Sequence, residues 1–156
     1  MVLVHIEIPF GSSVKYEVED EKLFVDRILS TSMHYPGNYG YIPKTLADDG
    51  DPVDVLIINT QPLLPTSYIE CKVLGMLITE DEKGMDEKII AVPSEKIDKM
   101  SCNLNDISDI PTIQLNLIKN FFENYKANEA NKWVKVFEFK NAEEALALIK
   151  KNTLKE

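Results

Sequence analysis

The stretch LADDGDPVDVLIIN, residues 46–59, joins a crowded acidic turn to a run of apolar residues. Gly50 and Pro52 are typical of a bend, and aspartate is a common turn residue, so a plain surface turn is one interpretation. Its four aspartates would repel one another, however, unless a counter-charge holds them together. The apolar run after the turn predicts a buried strand. The stretch therefore predicts part of a β core with a candidate cation site beside it.

Strand patterns flank this stretch on both sides. Residues 2–10, VLVHIEIPF, alternate aliphatic and polar side chains with the period of two that a half-buried strand shows. By contrast, residues 35–43, YPGNYGYIP, are rich in Gly and Pro and predict a turn-rich loop. Further strands are predicted over residues 14–19, 22–29, 68–80, 88–93 and 132–139.

The last third of the chain contains two helical patterns. Residues 109–126 place apolar side chains at helical spacing, with Asp109 as the candidate cap. Residues 141–151 begin with Asn141 and Glu144 at the spacing of a capping box. Consecutive strands followed by helices predict an α+β fold that is mainly β, in the form of a small antiparallel barrel flanked by helices.

Composition limits the class of protein. A chain of 156 residues with 44% hydrophobic and 28% charged residues predicts one globular domain covering residues 1–156. The net charge of -9 disfavours binding to nucleic acid or to an anionic membrane. The two cysteines show no motif spacing, and no apolar run approaches the length of a membrane span. We therefore expect a cytoplasmic protein without nucleic-acid or membrane partners.

The aspartates of the quoted stretch suit a hard cation. An EF-hand loop beginning at Asp49 needs Gly at its sixth position and Glu at its twelfth, where Asp54 and Thr60 stand. Zinc would prefer His or Cys, which show no paired spacing here. An all-oxygen site indicates Mg²⁺, Mn²⁺ or Ca²⁺, and Mg²⁺ usually shares its shell with substrate phosphates. A phosphate ester or anhydride is therefore the leading substrate class.

Other candidate residues have ordinary structural interpretations. The acidic run EDEKGMDEK, residues 80–88, is typical of a solvated hairpin loop. Lys15 lies on a predicted strand and could face solvent, and Arg27 could pair with Glu17 or Asp26. The tyrosines of the turn-rich loop are more often core residues than ligand contacts. The sequence contains no GxxxxGK[ST], GxGxxG or GxSxG motif, so we expect the chemistry to come from metal ions and water.

Beyond these patterns, DGDPVDV at residues 49–55 resembles the signature of the family I soluble inorganic pyrophosphatases. The segments IEIP, KYEVE, LFVDR and YPGNYGYIP resemble the family's segments in order, EDEKGMDEK resembles its second metal loop, and FFENYK its C-terminal substrate segment. The resemblance extends from Val4 to Ile149. It implies a five-stranded OB-like barrel with flanking helices. The activity it implies is hydrolysis of pyrophosphate to two orthophosphates by direct attack of a metal-activated water.

The resemblance also implies a role for each matching residue. Asp51 would be the catalytic base that helps to deprotonate the attacking water. The carboxylates expected to bind metal are Asp49, Asp54, Asp81 and Asp86. The side chains expected to hold phosphate oxygens are Lys15, Arg27, Tyr39, Lys88, Tyr125 and Lys126, with Glu7, Glu17 and Tyr35 in support. The resemblance further implies several Mg²⁺ ions per site, with Mn²⁺ or other divalent ions as alternatives. It also implies assembly as a homohexamer.

Two hypotheses from other classes remain at this stage. An OB-type module that binds single-stranded nucleic acid would need a basic groove with exposed aromatic side chains, against which the net charge argues. A Mg²⁺-dependent phosphatase that acts on an organic phosphate would use the same ligands, because none of them selects an organic group.

Overall fold

The computed structural model describes residues 1–155 and contains eight strands and two α-helices. Two short 3₁₀ turns, Lys99–Ser101 and Ile107–Asp109, precede the first helix. The strands are β1 (Val2–Ile8), β2 (Val14–Glu19), β3 (Lys22–Ile28), β4 (Asn38–Tyr41), β5 (Asp54–Ile57), β6 (Tyr68–Asp81), β7 (Gly84–Pro93) and β8 (Val134–Asn141), and the helices are α1 (Thr112–Asn124) and α2 (Ala142–Asn152).

Five of the strands close into a ring. β1 pairs with β4, β4 with β5, β5 with β7 and β7 with β6, and β6 returns to pair with β1. β8 pairs with β6 outside the ring, while β2 and β3 form a separate hairpin. The predicted mainly β, five-stranded OB-like barrel with flanking helices is therefore confirmed. The expectation of a purely antiparallel barrel is wrong in one pair, because β5 and β7 run parallel.

The apolar side chains form two clusters, one on each face of the central strands. Val55 and Ile57 of β5 belong to one cluster, together with Val4 and Ile6 of β1. Leu56 points to the opposite face and joins the cluster that packs against α1. Because both faces of β5 are covered after Asp54, its residues 55–57 are continuously apolar rather than alternating, as expected for a buried strand.

β4 is the element that the sequence interpretation missed. It occupies the Gly- and Pro-rich segment that predicted a loop. A Cβ atom on Gly40 would lie 1.9 Å from the carbonyl oxygen of His5 on the neighbouring strand. The glycine therefore serves the close approach of two strands and not a turn, and the composition alone does not distinguish these uses.

The two helices begin differently. Asn141 caps α2, where its side-chain oxygen accepts the Glu144 backbone N–H at 2.9 Å as predicted. The prediction of Asp109 as the cap of α1 is wrong, since Pro111 occupies the cap position without a side-chain bond. Asp109 instead accepts the backbone N–H of Asp106 within the preceding 3₁₀ turn. Within residues 1–155, neither helix has the length and apolar character needed to cross a membrane.

Candidate active site

A single cavity of about 430 Å³ brings the candidate residues together. Its wall draws on the β2–β3 hairpin, the acidic turn before β5, the β6–β7 hairpin and the segment after α1. All fourteen side chains that the resemblance singled out line it, namely Glu7, Lys15, Glu17, Arg27, Tyr35, Tyr39, Asp49, Asp51, Asp54, Asp81, Asp86, Lys88, Tyr125 and Lys126. Segments distant in sequence therefore meet at one place.

The acidic turn before β5 is shaped by its own backbone. The Ala47 N–H donates to the Asp51 carbonyl at 2.8 Å, and the Asp51 N–H donates to Asp49 Oδ1 at 3.0 Å. Gly50, at φ +89°, supplies the left-handed residue that this turn requires. The Asp51 side chain is 57% exposed, and Lys83 Nζ lies 3.7 Å from its Oδ2. The turn thus presents Asp51 at the mouth of the cavity.

The second acidic run forms the β6–β7 hairpin, with Gly84 opposite Asp81. The Lys83 N–H donates to Asp81 Oδ1 at 2.9 Å across the turn. Asp81 and Asp86 are both buried, so the interpretation as a solvated loop does not hold for these two acids. Paired strands hold them facing the cavity.

Lys88 connects the two acidic segments. Parallel pairing places it beside Asp54, and its Nζ lies 3.0 Å from Asp54 Oδ2 and 2.7 Å from Asp86 Oδ2. It also donates to the Tyr39 hydroxyl at 2.7 Å. Burial alone would lower the pKa of this ammonium, but the charges of Asp54 and Asp86 outweigh burial and raise the pKa well above its usual value. Lys88 is therefore a permanently charged group in the wall.

Lys126 plays a similar part on the other side. Its Nζ lies 3.2 Å from Asp81 Oδ2 and 3.5 Å from Glu82 Oε2. Burial opposes its charge, but neighbouring Tyr125 and Asp81 raise the pKa of its ammonium. Lys126 lines the cavity, where its charged ammonium can meet an anion.

The β2–β3 hairpin contributes two cations that share one partner. Lys15 Nζ and Arg27 Nε lie 2.9 Å and 3.0 Å from Asp26 Oδ2. Burial raises the pKa of Asp26, but the two cations outweigh it and hold the pKa below its usual value. Of the two partners considered for Arg27, Asp26 is therefore the one found and Glu17 is not. Both cations nevertheless line the cavity.

Two carboxyl groups in the wall have raised pKa values. Burial, with the nearby charges of Asp54 and Glu17, raises the pKa of Glu7 to about 7, although its carboxylate accepts the Val18 N–H at 2.9 Å. Burial and the charge of Asp86 raise the pKa of Asp49 to about 6. A cation among these carboxylates would relieve the repulsion.

Three tyrosines pack in the core and also line the cavity. Tyr35 is 1% exposed and lies 5.5 Å from Tyr39 and 6.4 Å from Tyr125 between ring centroids. All three belong to the core cluster beneath α1, yet all three line the cavity. Burial raises the pKa values of Tyr35 and Tyr39 well above normal, so both hydroxyls keep their protons.

Several wall residues escaped the sequence interpretation as site residues. Asp26 appeared only as a possible partner of Arg27, and Glu82 only as one charge within an acidic run. Tyr41 and Lys83 also line the cavity; they lie within the quoted segments YPGNYGYIP and EDEKGMDEK but were given no role there. Lys132 lines the cavity from outside every segment that carried the resemblance.

The donor set suits a hard divalent cation. The wall offers six aspartates and, within the described chain, no histidine or cysteine. In residues 1–155, no three side chains among His, Cys, Asp and Glu already converge on one point. Lys88 lies between Asp54 and Asp86, and Lys126 neutralises Asp81, so ammonium groups act as the counter-charges here. The oxygen donors therefore fit Mg²⁺ or a similar ion. Among the described residues, these carboxylates contact lysine ammonium groups and do not converge on one point.

A barrel whose cavity places aspartates against lysines and an arginine has the groups that an enzyme needs to hydrolyse phosphate compounds with divalent ions. Comparison with known proteins makes the class specific. The sequence profile of the family described as inorganic pyrophosphatase matches residues 4–155. The chain belongs to the inorganic pyrophosphatase family and hydrolyses pyrophosphate. Membership implies a divalent metal cofactor.

Individual relatives agree with this assignment. An inorganic pyrophosphatase of Nanoarchaeum equitans is 56% identical over 149 residues, which cover 96% of this chain and 93% of that one. One from Campylobacter jejuni is 50% identical over 148 residues, covering 94% and 86% of the two chains. The solved inorganic pyrophosphatase structure from Helicobacter pylori has a TM-score of 0.95 at 45% identity, covering 97% of this chain and 90% of that one. The hypothesis of a non-catalytic binding module is therefore wrong.

Proposed function

We propose that Mg²⁺ serves this hydrolysis, held among Asp49, Asp54, Asp81 and Asp86. One observation carries the proposal: all four carboxylates line the cavity that also contains the phosphate-binding candidates. Oxygen donors suit Mg²⁺, which retains waters and shares its shell with phosphate. When bound, divalent ions neutralise pyrophosphate and lower the pKa of the attacking water.

Asp51 is the group that takes the proton from this water. Its carboxylate is more exposed than the proposed metal-binding ones of the β6–β7 hairpin, and among residues 1–155 its one ion pair is the long contact to Lys83. A carboxylate without a close partner is available to accept a proton.

Four cations and two hydroxyls hold the phosphate oxygens in this proposal. Lys15 and Arg27 approach from the hairpin, and Lys88 and Lys126 from the barrel and the segment after α1. The fixed charge of Lys88 suits an anion whose charge grows on the departing phosphate. The hydroxyls of Tyr39 and Tyr125 add neutral donors, while Glu7, Glu17 and Tyr35 support the groups around them.

The experiment that tests this proposal measures orthophosphate released from pyrophosphate by protein stripped with a chelator. We expect no release without metal, recovery with Mg²⁺, and a weaker response to other divalent ions. An organic phosphate monoester, tested in parallel, should be a poor substrate. Undiminished release in excess chelator, or a clear preference for the monoester, would contradict the proposal.

We also propose that the chain is a single domain over residues 1–156 that assembles as a homohexamer in the cytoplasm. The cysteines support a reducing compartment, because Cys71 and Cys102 are both free thiols. Light scattering at working concentration should give the mass of six chains. A monomer mass would overturn the assembly without affecting the assigned chemistry.

A further inference from the structure

Lys132 lines the active-site cavity from the loop between α1 and β8, and no sequence motif gives it a role. The other lysines of the wall, and Arg27, each have a carboxylate partner. In the part of the chain that the structure describes, Lys132 forms no ion pair. An ammonium that is already paired shares its charge and its donors between a carboxylate and the anion that it binds, whereas Lys132 can offer both to the anion alone.

One end of its loop is tied to the end of β3. The Asn128 side-chain amide donates to the Ser30 carbonyl at 2.8 Å, and the Ser30 hydroxyl donates to Glu129 Oε1 at 3.2 Å. Asn128 and Asn131 have φ values of +70° and +64°, a conformation that asparagine tolerates better than most residues. These contacts fix the loop three residues beyond Arg27, beside the hairpin cations.

The other end is tied to the β6–β7 hairpin. The Trp133 N–H donates to Glu82 Oε1 at 3.3 Å, and the same carboxylate contacts Lys126. Lys132 therefore stands between two anchored points. A side chain on a backbone already held in place loses less conformational freedom on binding than one on a free loop.

We propose that Lys132 binds a phosphate oxygen of pyrophosphate and of the orthophosphate product. This inference rests on the proposed function and adds a cation at the mouth of the same cavity. In a wall rich in carboxylates, an ammonium without a counter-charge attracts an incoming polyanion and lengthens its residence. Its effect falls on binding more than on the chemical step, because the groups proposed to act on the attacking water lie on other loops.

The test compares Lys132→Gln with Lys96→Gln, which removes the same charge from a side chain that is 73% exposed and does not line the cavity. Calorimetry with inorganic phosphate in the presence of Mg²⁺ should show about tenfold weaker binding for Lys132→Gln, the size expected for one charge-assisted contact. The KM for pyrophosphate should rise by a similar factor, with kcat changed less than about twofold. Lys96→Gln should match the unmodified protein, and Lys132→Arg should recover most of the loss.

A second variant guards against a merely structural effect. Ser30→Ala removes the hydroxyl that donates to Glu129, while the Asn128 amide keeps its contact with the backbone carbonyl at position 30. The loop is thereby loosened without touching the ammonium, so phosphate binding should weaken in the same direction but by less. Unchanged phosphate affinity and KM in a folded Lys132→Gln, or failure of Lys132→Arg to restore them, would overturn the inference. If the unmodified protein releases no phosphate from pyrophosphate with Mg²⁺, the proposed function itself fails, and the two failures are thereby distinguished.

Discussion

The two acidic segments of the active site carry the same side chains but are built differently. Asp81 and Asp86 lie on paired strand ends, are buried, and are fixed by the register of β6 and β7. Asp49 and Asp51 lie on a turn held by its own hydrogen bonds, and Asp51 is mostly exposed. The hairpin thus offers buried carboxylates fixed by strand pairing, whereas the turn offers the exposed carboxylate of Asp51. In the proposed function the buried pair holds metal together with Asp49 and Asp54, and the exposed carboxylate moves the proton.

The largest effect should come from Lys88, whose ammonium contacts Asp54 directly after the turn and Asp86 of the hairpin. Lys88→Met leaves Asp54 and Asp86 without their shared cation in a buried place, which should cost about 3–5 kcal/mol of unfolding free energy. Urea unfolding measures this loss in metal-free protein. Lys83→Met is the matched control, since Lys83 is 60% exposed, and it should change stability by less than about 0.5 kcal/mol.

A double variant tests the same ion pairs by also removing the charge of one carboxylate. Adding Asp86→Asn to Lys88→Met removes one of the two stranded charges, so the double variant should be more stable than Lys88→Met alone. If it is less stable, the two acidic segments are not joined through this lysine.

Asp51 on the turn and Asp54 at the start of β5 should differ in the kind of effect that their substitution has. Asp54→Asn removes a charge from the proposed metal shell, so Mg²⁺ affinity should fall together with the rate. Asp51→Asn should slow the reaction by roughly 10²–10³-fold with metal affinity largely retained, and recover partly at higher pH. Calorimetric Mg²⁺ titration and pH–rate profiles separate them. Equal loss of metal affinity in both would make Asp51 a ligand and not a base.

Arg27 belongs to neither acidic segment and tests whether the hairpin cations matter for chemistry. Arg27→Ala should lower kcat/KM by roughly 10²-fold because a bidentate contact to phosphate is lost. Lys22→Ala, an exposed cation on the same strand that does not line the cavity, should have little effect. Near-normal kinetics for Arg27→Ala would mean that its pairing with Asp26 is its only role.

The sequence predicted the individual strands and helices better than it predicted the pairing between strands. Side-chain periodicity predicted β1, but β4 was missed because Gly40, needed for close contact with His5, looks like a turn residue. The parallel pairing of β5 with β7 leaves no local signal, because it depends on chain segments far apart. Lys132 was missed for the same reason, since its place in the wall is set by contacts to Ser30 and Glu82.

The smallest expected effect concerns Glu7, which approaches the acidic turn from β1. Burial raises its pKa in the folded protein to about 7, from 4.5 in the unfolded chain. Between these values the folded state keeps a proton that the unfolded state has released, so stability falls as pH rises through this window. Glu7→Gln does not titrate and keeps an oxygen for the Val18 N–H. Relative to the unmodified protein, it should therefore gain about 1–2 kcal/mol between pH 4.5 and pH 7, a figure reduced for partial solvent screening.

Urea unfolding of metal-free protein across this pH range measures that gain. Glu19→Gln, which removes an exposed carboxylate from the neighbouring hairpin, should follow the unmodified curve. A constant difference between Glu7→Gln and the unmodified protein at every pH would mean that Glu7 stays ionised in the fold. In that case the repulsion of Glu7 by Asp54 and Glu17 would be too weak to raise its pKa. The negative charge that attracts a cation to this part of the cavity would then come from the aspartates without a contribution from repulsion at Glu7.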